Sequence, residues 1–129
     1  MSSRQLWFGV WLVSVVAIVS PWGRFEDHVH WQRIALVPFL QGTVRPIDVI
    51  LNVLLYLPCG LLLARGGGWS QALLAAFAVS AGTEISQAFS HVRFCSATDL
   101  ACNVAGAAAG VALLRARPAR AQASTPNAV

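Results

Sequence analysis

The stretch SAGTEISQAFSHVRFCSATDLACNVAGAAAG, residues 80–110, decides how this chain is read. It holds the end of one apolar run, a short polar connection and the start of another apolar run. Polar residues are set inside both runs. Ser80, Glu84, Gln87 and His91 fall at i, i+4, i+7 and i+11, the spacing of one helix face. Asp99 and Asn103 open the next run four residues apart, and Gly106 and Gly110 continue the same face. Upstream, Asp48 and Asn52 repeat that spacing at the start of another apolar run. Ionisable groups near lipid are costly and usually functional, so residues 46–110 are the place to look for a site.

Composition puts the chain in the membrane class. Of 129 residues, 57% are hydrophobic and 11% charged, with a mean hydropathy of +0.63. Soluble domains carry about 25% charged residues. The length allows one domain. All nine basic residues are arginine, and the net charge is +4. The arginines stand singly between apolar runs rather than on one face, which argues against a nucleic-acid partner. Cys59, Cys95 and Cys102 form no CxxC pair and no disulfide framework. His91, Cys95 and Cys102 lack the usual ligand spacing, so neither a metal nor another cofactor is expected. His28 and His30 are read as solvated loop residues.

Four apolar segments are expected to form an all-α integral membrane bundle of four transmembrane helices. The first, residues 1–22, is read as a retained signal-anchor, because no Ala-x-Ala-like site follows and it runs into Ser20-Pro21-Trp22-Gly23. Residues 23–45 form a long first external loop, partly interfacial. Residues 46–114 supply the three-helix core. Residues 115–129 form a basic tail, expected to be disordered. Pro46 suits a helix start, with Asp48 near its positive dipole end. Pro58 interrupts the second helix, where it removes a hydrogen bond. Gly66-Gly67-Gly68 makes a tight link to the third helix, and Ser96-Ala97-Thr98-Asp99 fits a capping box for the fourth.

An even number of helices puts both termini on one side. Five arginines, Arg4, Arg65, Arg115, Arg117 and Arg120, then oppose four, Arg24, Arg33, Arg45 and Arg93, which favours cytoplasmic termini. In either orientation the second helix starts, the third ends and the fourth starts at one face. Asp48, Asn52, Glu84, Gln87, Arg93, Asp99 and Asn103 are therefore expected around one shallow polar pocket. Each has a plainer role available: Asp99 as a cap, Asp48 as a dipole partner, Asn52 and Asn103 as interhelical hydrogen-bond formers. Gly106 and Gly110 fit close helix packing. Glu84 is the carboxylate set within a spanning run, and Arg93 is the nearest cation to pair with it. The matching patterns Asp48-x-x-x-Asn52-Val53 and Asp99-x-x-x-Asn103-Val104 also admit an old duplication of a two-helix unit.

From Asp48 to Gly110 the chain resembles the VanZ-like family of small bacterial membrane proteins. The resemblance rests on Asn52-Val-Leu-Leu-Tyr56-Leu-Pro58-Cys-Gly60, Glu84-x-x-Gln87, Arg93, Asp99-x-x-x-Asn103-x-x-Gly106 and Gly110, in that order. Cys59 stands where the family usually has a bulky aliphatic residue. The family takes its name from a member that raises resistance to the glycopeptide teicoplanin. The resemblance thus implies a multi-pass protein of the bacterial cytoplasmic membrane and a role in the cell envelope. On this reading the polar residues bind a lipid-linked or cell-wall-related ligand at the outer membrane face. The lipid bilayer is the first partner, and envelope proteins are further candidates. The alternative is an enzyme acting on a lipid head group, with Glu84 or Asp99 as acid/base. A transporter subunit is disfavoured, since Glu84 sits too near the membrane edge for a midplane site.

Overall fold

The computed structural model describes residues 2–42 and 44–116. They form four helices: α1 (Ser3–Val19), α2 (Pro46–Gly67), α3 (Trp69–Ala88) and α4 (Ala97–Ala116). Two-residue strands β1 (Ile34–Ala35) and β2 (Cys95–Ser96) pair in parallel and tie the first loop to the α3–α4 connection. The helix limits follow local chemistry. Ser2 and Gln5 make a reciprocal capping box at the start of α1. Pro21 disfavours helical backbone at Ser20, so α1 stops at Val19, short of Trp22. Pro46 occupies the first turn of α2, and the helix continues through Pro58. Gly68, with φ +85°, is the single residue between the end of α2 and the start of α3. α4 runs to Ala116, so Arg115 is helical rather than part of a tail. The remaining tail positions, 117–129, lie outside the described residues.

The central seam is α2 against α4, the most extensive interface, with α3 packed on both. Gly60, Gly106 and Gly110 make it possible. A Cβ on Gly60 would overlap the Ala107 carbonyl, one on Gly106 the Val53 carbonyl, and one on Gly110 the Leu57 carbonyl. Backbone here lies against backbone. α1 is peripheral and is held by Trp11, whose Nε1–H donates to the Leu55 carbonyl at 2.8 Å and whose ring meets Tyr56 edge-on at 5.4 Å. Trp7, one turn earlier, is exposed.

Polarity is distributed inside-out. Ser80, Thr83, Glu84, Gln87 and Asn103 are buried, whereas Val13, Leu54, Leu74, Phe77 and Ile85 face outward. An apolar exterior of this extent suits contact with lipid tails. α2 and α4 are both long and apolar enough to cross a membrane, with mean hydropathies of 2.1 and 1.5 over their spans. α1 is apolar but shorter, at 17 residues.

Candidate functional site

Glu84 lies four residues before the end of α3, about 6 Å along the axis from it. Its carboxylate is buried, at 6% exposure. The Oε2 atom accepts the backbone N–H of Ser96 at 2.6 Å. That N–H has a particular origin. Ser96 precedes α4, and its Oγ accepts from the Asp99 N–H at 3.4 Å. In a complete capping box the acid at Asp99 would reach back to the Ser96 N–H. Here a carboxylate from another helix takes that donor, so α3 completes the cap of α4.

Arg93 does not provide the partner expected for Glu84. Among the described residues no ion pair joins them. The reason is the course of the connection. Arg33 donates to the His91 carbonyl and lies over the Phe94 ring at 4.9 Å, and Ile34 pairs with Cys95. These contacts hold residues 91–95 in an outward course that leaves Arg93 exposed while turning the Ser96 N–H toward Glu84. Arg93 is instead within electrostatic reach of Asp99, with no direct contact between them among the described residues.

Asp99 is the meeting point of the other polar residues. Asn52 stands beside it, and Asp48, Arg93 and Glu84 are within electrostatic reach. Asp48 itself is held by a bidentate pair with Arg45 at 2.8 and 3.0 Å. Arg45 is largely solvated and Asp48 partly so, at 69% and 37% exposure, so this pair orients more than it stabilises. Asn103 lies one turn deeper and donates from Nδ2 to Ser80 Oγ at 2.9 Å, bridging α4 to α3. The Tyr56 hydroxyl is buried beside Ser80 and Thr83, at the inner edge of the same cluster. Sequence reasoning placed Tyr56 in a motif but not in the site.

Gln87, expected in the pocket, goes elsewhere, and so does His91, which shares its helix-face spacing. Gln87 donates from Nε2 to the Val19 carbonyl at 3.2 Å and so satisfies the C-terminal end of α1. His91 turns away from Glu84 toward the first loop, where its Nε2 lies 3.1 Å from Glu26. His30 also departs from the solvated reading: it is 5% exposed, because its N–H donates to the Ala88 carbonyl and docks the loop on the end of α3. A largely apolar groove of about 420 Å³ lies between α1 and α2, lined by Trp7, Trp11, Pro58 and Arg65 among others, away from the Glu84 cluster.

Cys95, in the connection, is partly buried against this cluster. Burial pushes its thiol above the usual range, and the nearby Glu84 carboxylate adds to the shift. A raised pKa means less thiolate at neutral pH. Cys95 is therefore expected to react with a water-soluble maleimide at pH 7.5 more slowly than a free thiol. Glu84→Gln is expected to accelerate it; an unchanged rate in that variant would separate the two groups.

The apolar exterior, the two membrane-length helices and the buried polar cluster at one end of the bundle define a helical membrane protein. The family model for VanZ/LLP1 matches residues 6–117, and the chain belongs to that family. The match reaches well beyond residues 48–110: α1 and the first loop, which carry little recognisable signal by eye, are inside it. No curated protein and no solved structure matches the chain.

Proposed function

We propose that this VanZ/LLP1 protein crosses the bacterial cytoplasmic membrane with all four helices, both termini cytoplasmic. Its polar cluster then faces outward and binds a lipid-linked or cell-wall-related ligand of the envelope. Asp48, Asn52, Glu84, Arg93, Asp99 and Asn103 form the binding region, with Gln87 bracing α1 beside it. The observation that carries this reading is the gathering of acidic and amide side chains around Asp99 at one end of an otherwise apolar bundle. Arg93, exposed above Asp99, is the natural contact for a phosphate or carboxylate. The test is complementation of a deletion strain scored for envelope integrity and drug susceptibility. Arg93→Ala and Glu84→Gln are expected to accumulate normally and fail to complement. Full complementation by both would overturn the reading.

The closeness of Glu84 and Asp99 favours one second reading, acid/base chemistry on a lipid head group. Purified protein that turns over neither polyprenyl phosphates nor phospholipids, with and without divalent metal, would exclude it.

A further inference from the structure

The chain contains three histidines, and the fold brings all of them to one point outside the polar cluster. Glu26, His28 and His30 alternate along the first loop, the period of extended backbone. Phe25 bridges Ser90, the Glu26 N–H donates to the Phe89 carbonyl at 2.9 Å, and the His30 N–H donates to the Ala88 carbonyl at 2.9 Å. That pairing lays the alternating side chains against His91, the next residue after Ser90.

The ligand atoms of Glu26, His28, His30 and His91 all lie within 4.8 Å of one another. Glu26 Oε2 stands 3.1 Å from His91 Nε2, 3.2 Å from His30 Nε2 and 3.7 Å from His28 Nε2. A tetrahedron with metal–ligand bonds of about 2.0 Å has edges of about 3.3 Å; the Glu26–His91 and Glu26–His30 separations are of that size, and the wider ones, up to 4.8 Å, close by small side-chain movements when an ion binds. His30 adds an independent sign. It is 95% buried, and its Nε2, although 3.2 Å from Glu26 Oε2, makes no hydrogen bond. A buried imidazole nitrogen left so is costly, and a metal would satisfy it. His28 carries the outer support that metal-bound imidazoles usually have: its Nδ1 lies 3.0 Å from Asp27 Oδ1. With Nδ1–H donating there, Nε2 keeps its lone pair for an ion.

We propose that Glu26, His28, His30 and His91 form a zinc site. Three imidazole nitrogens and one carboxylate oxygen suit that ion, and four protein ligands make a closed, structural centre. The ion joins the first loop to the α3–α4 connection, fixing the segment that also supplies Ser96 to Glu84. None of these four residues belongs to the Asp99 cluster.

The test uses the full chain in detergent, purified without a histidine tag and stripped with a chelator, then titrated with Zn²⁺ or Co²⁺. One ion per chain is expected, with the strong visible absorption of tetrahedral Co²⁺ and a rise in Tm on adding Zn²⁺. His28→Ala and His91→Ala remove exposed side chains, so the bundle stays folded by circular dichroism while binding is lost. Asp27→Ala is expected to weaken binding about 10–100-fold. No stoichiometric binding by the wild-type chain, or binding unchanged in both histidine variants, overturns the site.

Discussion

Gly106→Leu is expected to prevent assembly of the bundle, and Gly106→Ala to weaken it strongly. A Cβ at this position meets the Val53 carbonyl, and main chain cannot swing aside as a flexible side chain can. Overpacking in a core costs about 1–3 kcal/mol even where side chains adjust. Here two helices must part along the most extensive interface in the molecule. Against a total stability of about 5–15 kcal/mol, the leucine variant is placed beyond rescue. Gly82→Ala is the matched control. Gly82 lies on the exposed face of α3, where an added methyl group meets open space, so its replacement is expected to be neutral or slightly stabilising. Thermal unfolding and size-exclusion profiles in detergent give the comparison. Equal midpoints for Gly106→Leu and Gly82→Ala would mean that α2 and α4 do not meet as described.

Glu84 gives the second large effect, and two substitutions divide its structural role from its charge. Glu84→Ala removes the acceptor of the Ser96 N–H, leaving a buried donor unpaired at the start of α4. That omission costs about 1–3 kcal/mol, to which the vacated side-chain volume adds. Glu84→Gln keeps an oxygen in place and gives up the charge, so most of the cap survives. The expected order of thermal midpoints is wild type at or just above glutamine, with alanine well below. Hydrogen exchange at Ser96 supplies the local readout: rapid in the alanine variant, protected in the other two. If alanine left that amide as protected as in wild type, the shared cap would be disproved.

These two residues also show what the sequence carries and where it stops. Helix limits were legible where proline and glycine write them locally, at Pro46 and Gly68, whereas the first helix was read through residue 22 and Pro21 in fact ends it at Val19. Gly60, Gly106 and Gly110 were legible as a packing face for a similar reason, since only small residues permit backbone contact. The family order of motifs pointed to the polar end of the bundle. The partners within it were another matter. The acceptor role of Glu84 depends on a main-chain N–H, which every non-proline residue offers and no spacing advertises. Gln87 was read with Glu84 because they share a face, yet a helix face is broad enough to meet two neighbours, and Gln87 meets α1 instead. The histidines of the first loop were read as solvated because an irregular segment has no period to reveal a buried side. Their alternation acquires meaning only once Phe25 is paired with Ser90.

The parallel pairing of Ile34–Ala35 with Cys95–Ser96 has a further consequence, for the order of events during synthesis. The first loop rests on carbonyls at Ala88 and Phe89, on β2 and on the Thr98 hydroxyl, which accepts from the Phe39 N–H. All of these emerge from the ribosome about sixty residues after the loop itself. The first loop therefore trails unanchored while the rest of the chain is made, and contacts so distant along the chain form late. Residues made early thus settle last, and a nascent chain halted before Thr98 would hold its first loop open to proteases until the α3–α4 connection arrived.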